Sequence, residues 1–294
     1  MQPFDRSLYP FTPRSLEIDG HSLSYLDEGK GPVVVMLHGN PTWSFYYRNL
    51  VLLLRDRYRV IVPDHMGCGF SDKPQAYPYT LQQHISNLSR LLDHLGIGSL
   101  SLVVHDWGGA IGMGYAGRHP DKIEALVVTN TAAFMSKKIP LRINICKLPG
   151  LGALFIRGLN AFAAGATVMA VAKKISPEVA RAYVAPYDCW ADRIATLRFV
   201  EDIPMSENHV SWKTLLAVER SLAELTEKPM LIVWGGRDFC FTRHFYDEWC
   251  ARFPAAETMF LPEAGHYVLE DEFKQAGPKI AQFLDANTPP PSEI

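Results

Sequence analysis

Val104-His105-Asp106-Trp107-Gly108-Gly109 constrains this chain more than any other stretch. A short apolar segment, residues 100–104, runs into it, and an Ala/Gly-containing segment that reads as a helix runs out of it. A strand, a sharp turn and a helix in that order hold one side chain at the tip of the turn. Here that side chain is the carboxylate of Asp106 instead of a serine hydroxyl. A carboxylate does little lasting chemistry at a carbonyl carbon, but it displaces leaving groups from saturated carbon and forms an ester that water can open. The turn therefore predicts displacement at an sp³ carbon, not ester or peptide cleavage through a seryl intermediate.

The surrounding chain can build a large core. It has 294 residues, 48% hydrophobic and 20% charged, with a formal charge of -2. This is ordinary globular composition, long enough for one large domain or a core with an inserted subdomain. The near-zero charge gives no reason to expect a nucleic acid or membrane partner. Residues 1–6 carry no basic-then-apolar leader pattern and no apolar run is long enough to span a bilayer, so a cytoplasmic protein is expected. The apolar residues 161–171, bounded by Lys173-Lys174, are expected to form a core helix. Cys68, Cys146, Cys189, Cys240 and Cys250 are odd in number, widely spaced and without a C-x-x-C pair. Free thiols are expected, with no metal site.

Strand-like runs at 15–18, 22–27, 33–37, 58–63, 100–104, 123–129, 230–234 and 257–261 alternate with helix-like runs. That rhythm predicts an α/β fold with a mostly parallel, eight-stranded sheet and helices on both faces. Asp19-Gly20 marks a hairpin, so the sheet should begin antiparallel. Leu81, Ile85, Leu88, Leu92 and Leu95 recur at helical spacing, with Gly96 as the stop. From 134 to 216 the strand rhythm ceases and Pro140, Pro149, Pro177, Pro186 and Pro204 punctuate short helices. The expected organisation is a core from 1–133 and 217–294, with a helical cap at 134–216 closing an apolar pocket over the carboxyl edge of the sheet. The tail, Asn287 to Pro291, is expected to fray.

Other residues fall where the elbow needs partners. Gly265-His266-Tyr267 follows the last strand, so His266 can serve as a base. Asp238, in Gly235-Gly236-Arg237-Asp238 after the preceding strand, can orient it. The order Asp106, Asp238, His266 is the nucleophile, acid, base order of the α/β-hydrolase fold. His38-Gly39-Asn40-Pro41 follows residues 33–37, where that fold places a second electrophile-stabilising loop. His38 and His105 are read as holding backbone turns, Asp64 as ordering a loop, and Glu270, Asp271 and Glu272 as a solvated helix start. Phe134, Phe162, Phe199 and Tyr267 suit pocket lining and core equally well.

Two motifs, His38-Gly39-Asn40-Pro41-Thr42-Trp43-Ser44 and His105-Asp106-Trp107-Gly108-Gly109, resemble those of the haloalkane dehalogenases, and the similarity runs from about Phe11 to Phe283. Tyr183-x-x-Pro186-Tyr187, Phe199 and Ile203-Pro204 are similar to that family's cap. The resemblance implies Asp106 as nucleophile, His266 as base, Asp238 as acid, and Asn40 with Trp107 as the halide-binding pair. It implies a small halogenated alkane as substrate, chloride or bromide, an alcohol and a proton as products, a role in detoxification, and no cofactor. The chemistry is consistent: a departing halide needs N–H donors and no proton, which an indole and an amide supply. Some family members carry the acid after the strand preceding the cap; here Thr129-Asn130-Thr131 holds no carboxylate, leaving Asp238. That arrangement resembles the third subfamily, whose members are weakly active and tend to form homo-oligomers. Three alternatives share the fold: an epoxide hydrolase, which usually has an aromatic residue in place of Asn40 and needs cap tyrosines such as Tyr183 and Tyr187; a luciferase of the Renilla type; and a non-catalytic ligand receptor.

Overall fold

The computed structural model describes residues 1–288 apart from 137, 139 and 149, so Pro149 and the tail residues Pro289 to Pro291 lie outside the described residues. Eight strands form one sheet: β1 (Arg14–Ile18), β2 (His21–Glu28), β3 (Val33–Leu37), β4 (Arg59–Pro63), β5 (Leu100–His105), β6 (Ile123–Thr129), β7 (Met230–Gly235) and β8 (Glu257–Leu261). Their spatial order is β1-β2-β4-β3-β5-β6-β7-β8. The β1–β2 hairpin and the β2–β4 pair are antiparallel, and every other pair is parallel. All eight strands fall within two residues of their expected bounds: the central ones, such as β3 and β6, are short β-branched or aliphatic runs, and β1 and β2 alternate polar and apolar residues about the Asp19-Gly20 turn.

Alternation along the strands feeds two cores. Val35 and Leu37 of β3 face one, Val34 and Met36 the other. On the first face pack α2 (Leu81–His94), α3 (Trp107–Ala116), α8 (Trp212–Ser221) and α9 (Arg243–Arg252). On the second pack α1 (Arg48–Leu54), α10 (Val268–Asp271) and α11 (Phe273–Asn287). α2 starts where Thr80 accepts a hydrogen bond from the Gln83 N–H, and it buries the expected Leu81, Ile85, Leu88 and Leu92. Asn287 belongs to α11, so the last helix runs further than the fraying tail suggested.

Between β6 and β7 lie only helices among the described residues: α4 (Leu141–Cys146), a π-helical turn at Ala153–Gly158, α5 (Ala161–Met169), α6 (Pro177–Val184) and α7 (Ile194–Glu201) precede α8. Residues 161–171 do not form a core helix. α5 buries only Ala163, and Val168 is 73% exposed. Apolar character there serves the inner and outer surfaces of a thin layer instead of a sealed core. No helix among the described residues is long and apolar enough to cross a membrane. The five cysteines are free, and no cluster of metal-ligating side chains occurs among the described residues.

Candidate active site

The strand order reverses between β3 and β5, which are neighbours although α1, β4 and α2 separate them in sequence. The turns after these strands diverge and leave a crevice at their carboxyl ends. Asn40 follows β3 and Asp106 follows β5, so the two meet there. Asp106 has φ 50° and ψ -126°, a conformation costly for a residue with a Cβ, of the order of 1–3 kcal/mol. Its neighbours accept the sharp turn because they lack side chains. A Cβ on Gly108 would lie 2.0 Å from the Leu37 carbonyl oxygen, and one on Gly39 would lie 2.0 Å from Asp106 Oδ1. The Asp106 N–H donates to the Asn130 carbonyl at 3.2 Å, and the Thr131 hydroxyl donates to the Asp106 carbonyl.

The Asp106 carboxylate is held from one side. Oδ1 accepts from the Asn40 backbone N–H at 2.6 Å, while Oδ2 lies 3.7 Å from His266 Nε2. Burial pushes the carboxyl above its ordinary range, partly opposed by the nearby imidazole and by the Asn40 and Trp107 N–H groups. His266 Nδ1 and Asp238 Oδ2 are 2.8 Å apart. Asp238 in turn accepts from the Asn130 amide at 2.9 Å and, through Oδ1, from the backbone N–H groups of Cys240 and Phe241 at 2.6 and 3.0 Å. Burial favours neutral His266, but the Asp238 and Asp106 charges outweigh it and raise its proton affinity. The two residues expected to act as donors, Asn40 and Trp107, both lie at the cavity. Asn40 Nδ2 donates to the Thr196 carbonyl at 3.1 Å, which fixes the amide plane and leaves its second hydrogen available. Trp107 opens α3, with its ring 5.3 Å from Phe199.

All of the predicted site residues except Asp238 line one cavity of about 470 Å³; Asp238 stands behind His266. The walls are apolar, with Phe134, Ile156, Phe162, Val200, Leu215 and Phe245 among them. Phe162 lines the cavity, Phe134 both lines it and packs in the core, and Phe199 and Tyr267 pack in the core. Tyr183 and Tyr187 turn away from this cavity: their hydroxyls donate to Glu270 and to the Thr42 carbonyl. They are not placed to protonate an epoxide.

Structural expectations hold for His38, His105 and Asp64. His38 Nε2 accepts the His65 N–H at 3.0 Å, His105 Nε2 donates to the His266 carbonyl at 3.0 Å, and Asp64 takes the N–H groups of Ser44 and Phe70. The reading of Glu270, Asp271 and Glu272 as solvated does not hold. Glu270 forms a bidentate pair with buried Arg48. Asp271 accepts the N–H groups of Gly265, Ala172 and Lys173 at 2.7–2.8 Å, tying the histidine loop to the helical layer. Glu272 pairs with Lys173. A run of acids reads as surface in sequence; only the closure of the helical layer over it supplies the burial.

Comparison with known proteins adds an ancestry to this geometry. The model of the alpha/beta hydrolase fold family matches residues 32–273. A cis-3-alkyl-4-alkyloxetan-2-one decarboxylase of Xanthomonas campestris is 47% identical over 293 residues, covering 95% of this chain and 98% of the relative. Haloalkane dehalogenase 2 of Mycobacterium tuberculosis is 30% identical, covering 91% of this chain and 93% of the relative. The crystal structure of a putative ancestral haloalkane dehalogenase superposes with a TM-score of 0.86 at 28% identity, over 93% of this chain and 98% of that one.

Proposed function

The chain belongs to the haloalkane dehalogenase family of the α/β-hydrolase fold, and on that premise we propose that it decarboxylates cis-3,4-dialkyl oxetan-2-ones, with Asp106 as nucleophile. The observation that carries this reading is the end-to-end 47% identity to a decarboxylase of that substrate class. The site makes chemical sense of it. A β-lactone presents a saturated carbon, C4, bonded to an oxygen that departs as a carboxylate. This is the displacement an elbow aspartate performs, with carboxylate in place of halide. The cavity supports the same reading, because about 470 Å³ lies within the range for drug-sized ligands and far exceeds a short haloalkane. In this proposal residues 134–216 act as a cap that keeps water from the reacting groups.

The steps balance without water, metal or redox partner. Asp106 Oδ2 attacks C4 from the side opposite the ring oxygen; the C4–O1 bond breaks and its electron pair stays on the new carboxylate. Asn40 and Trp107 donate to that developing charge. The C2–C3 pair then becomes the C3–C4 π bond, CO₂ departs, and the C4–oxygen pair returns to Asp106. Inversion at C4 followed by anti elimination carries a cis lactone to a cis alkene. Asp238 holds His266 beside Asp106, where the imidazole stabilises the carboxylate.

Hydrolytic dehalogenation is the second reading, favoured by the complete Asp238–His266 pair beside Asp106 and by the Asn40 and Trp107 donors. His266 would then activate water against the ester. The discriminating experiment offers the enzyme a cis-dialkyl oxetan-2-one and a panel of brominated alkanes. Alkene from the lactone, with bromide release slow or absent, is expected. Rapid bromide release with the lactone untouched would overturn the decarboxylase assignment and leave the dehalogenase one.

A further inference from the structure

The charge of the chain is unevenly placed. Residues 134–175 contain seven basic residues, Lys137, Lys138, Arg142, Lys147, Arg157, Lys173 and Lys174, and no Asp or Glu. With 29 basic and 31 acidic residues in all, the rest of the chain holds 22 and 31, a charge of -9 against +7 here. The near-neutral total conceals this asymmetry. The same segment carries the largest run of exposed apolar side chains: Leu141, Leu159 and Val168 are 73%, 64% and 73% exposed, and Leu148, Leu151 and Leu154 are exposed as well. Single exposed leucines are ordinary, but this many exposed apolar side chains on one segment mark an interaction surface. Ile145 and Phe155 are both exposed and part of the cavity lining, so the apolar surface continues from outside into the cavity.

We propose that residues 134–175 dock the protein on an anionic lipid surface, with the mouth of the cavity facing the acyl chains. Two observations select lipid as the occupant. Along the segment the charge is cationic without an interspersed acid, and its exposed Lys138 and Lys174 form no ion pair among the described residues, which complements an anionic headgroup layer. The apolar side chains stand on short helices and turns around a ligand entrance, so a fluid apolar phase can receive each of them and feed the cavity at the same time. Some of the cations have internal duties: Lys147 binds the carbonyls of Val200, Glu201 and Ile203, Arg157 that of Trp190, and Lys173 pairs with Glu272. Lys138 and Lys174 are exposed, Lys138 beside the cavity and Lys174 between α5 and α6. The proposal stands on this surface and not on the chemistry assigned to Asp106.

Vesicle flotation of the full chain tests it without turnover, using phosphatidylcholine vesicles with and without phosphatidylglycerol. The expected result is flotation with the anionic vesicles only, weakened by salt. Leu141→Glu combined with Leu159→Glu should abolish it, and Lys174→Glu should weaken it by about fivefold or more. None of these side chains lines the cavity, so turnover of a dispersed short-chain substrate should persist, which excludes misfolding as the cause. No flotation, or equal flotation of wild type and variants, overturns the proposal. So does a concentration-dependent dimer that the double Glu variant converts to monomer, since the occupant would then be a second copy of this chain.

Discussion

Replacing Trp107 with Phe isolates one N–H. The indole stands at the cavity wall beside Asp106, its ring 5.3 Å from Phe199, and its N–H makes no hydrogen bond among the described residues. Phe keeps an aromatic face against Phe199 and removes the donor. If the indole holds the departing anion, the loss falls on the transition state, where such donors are worth about 10²–10³ in kcat. The lower end applies here. On the proposed reading Asn40 supplies a second donor, and a departing carboxylate spreads its charge over two oxygens. The expected result is a fall of about 10² in kcat with KM nearly unchanged. No hydrogen bond among the described residues is broken and the vacated space adjoins an open cavity, so stability should change by less than about 1 kcal/mol. Steady-state alkene formation, read with a urea titration, measures both. A fall of less than about threefold, or one matched by lost stability, would refute the assignment of the indole as anion donor.

Other perturbations separate the steps. His266→Phe should leave alkene formation within about tenfold, since elimination needs no proton transfer, while a brominated alkane should leave its alkyl ester on Asp106, visible as a mass increment. On pH, Asp106 must be ionised to attack. Burial raises its proton affinity above the ordinary 3.8, so alkene formation should fall on acidification at a pH higher than that value. Ester hydrolysis needs neutral His266, whose proton affinity burial lowers but the flanking carboxylates raise above 6.5; it should be lost below that raised value and regained as pH rises through it. Asp271→Asn replaces an acceptor of three backbone N–H groups by an amide that competes for them, and should cost about 2–3 kcal/mol in urea unfolding.

The sheet was legible because its central strands are short apolar runs and its first two alternate about a hairpin turn, which leaves little choice of topology. Asp106, Asp238 and His266 were legible for a related reason: each lies in the loop that follows a strand, so naming the strand places the side chain near the carboxyl edge. What escaped was whatever depends on the helical layer. Asp271 looks solvated until Ala172 and Lys173 are laid over it. Residues 161–171 look like a core helix until one face of α5 is seen to be open. Tyr183 looks like a candidate acid until Glu270 and Arg48 are found to hold it. The branch between hydrolysis of an alkyl halide and decarboxylation of a lactone is not written in these residues, for a chemical reason. Halide and lactone carboxylate leave saturated carbon as anions alike, so the residues that serve one serve the other, and no motif at Asp106 separates them.

The most direct test follows oxygen. The enzyme turns over a cis-3,4-dialkyl oxetan-2-one in H₂¹⁸O, and the peptide containing Asp106 is then weighed. Attack on C4 and return of the carboxylate by elimination predict cis alkene with no label in Asp106 after many turnovers, because water never meets the ester. Label in the Asp106 carboxylate, accompanied by a β-hydroxy acid in place of alkene, would show that water opens the ester and would contradict the account.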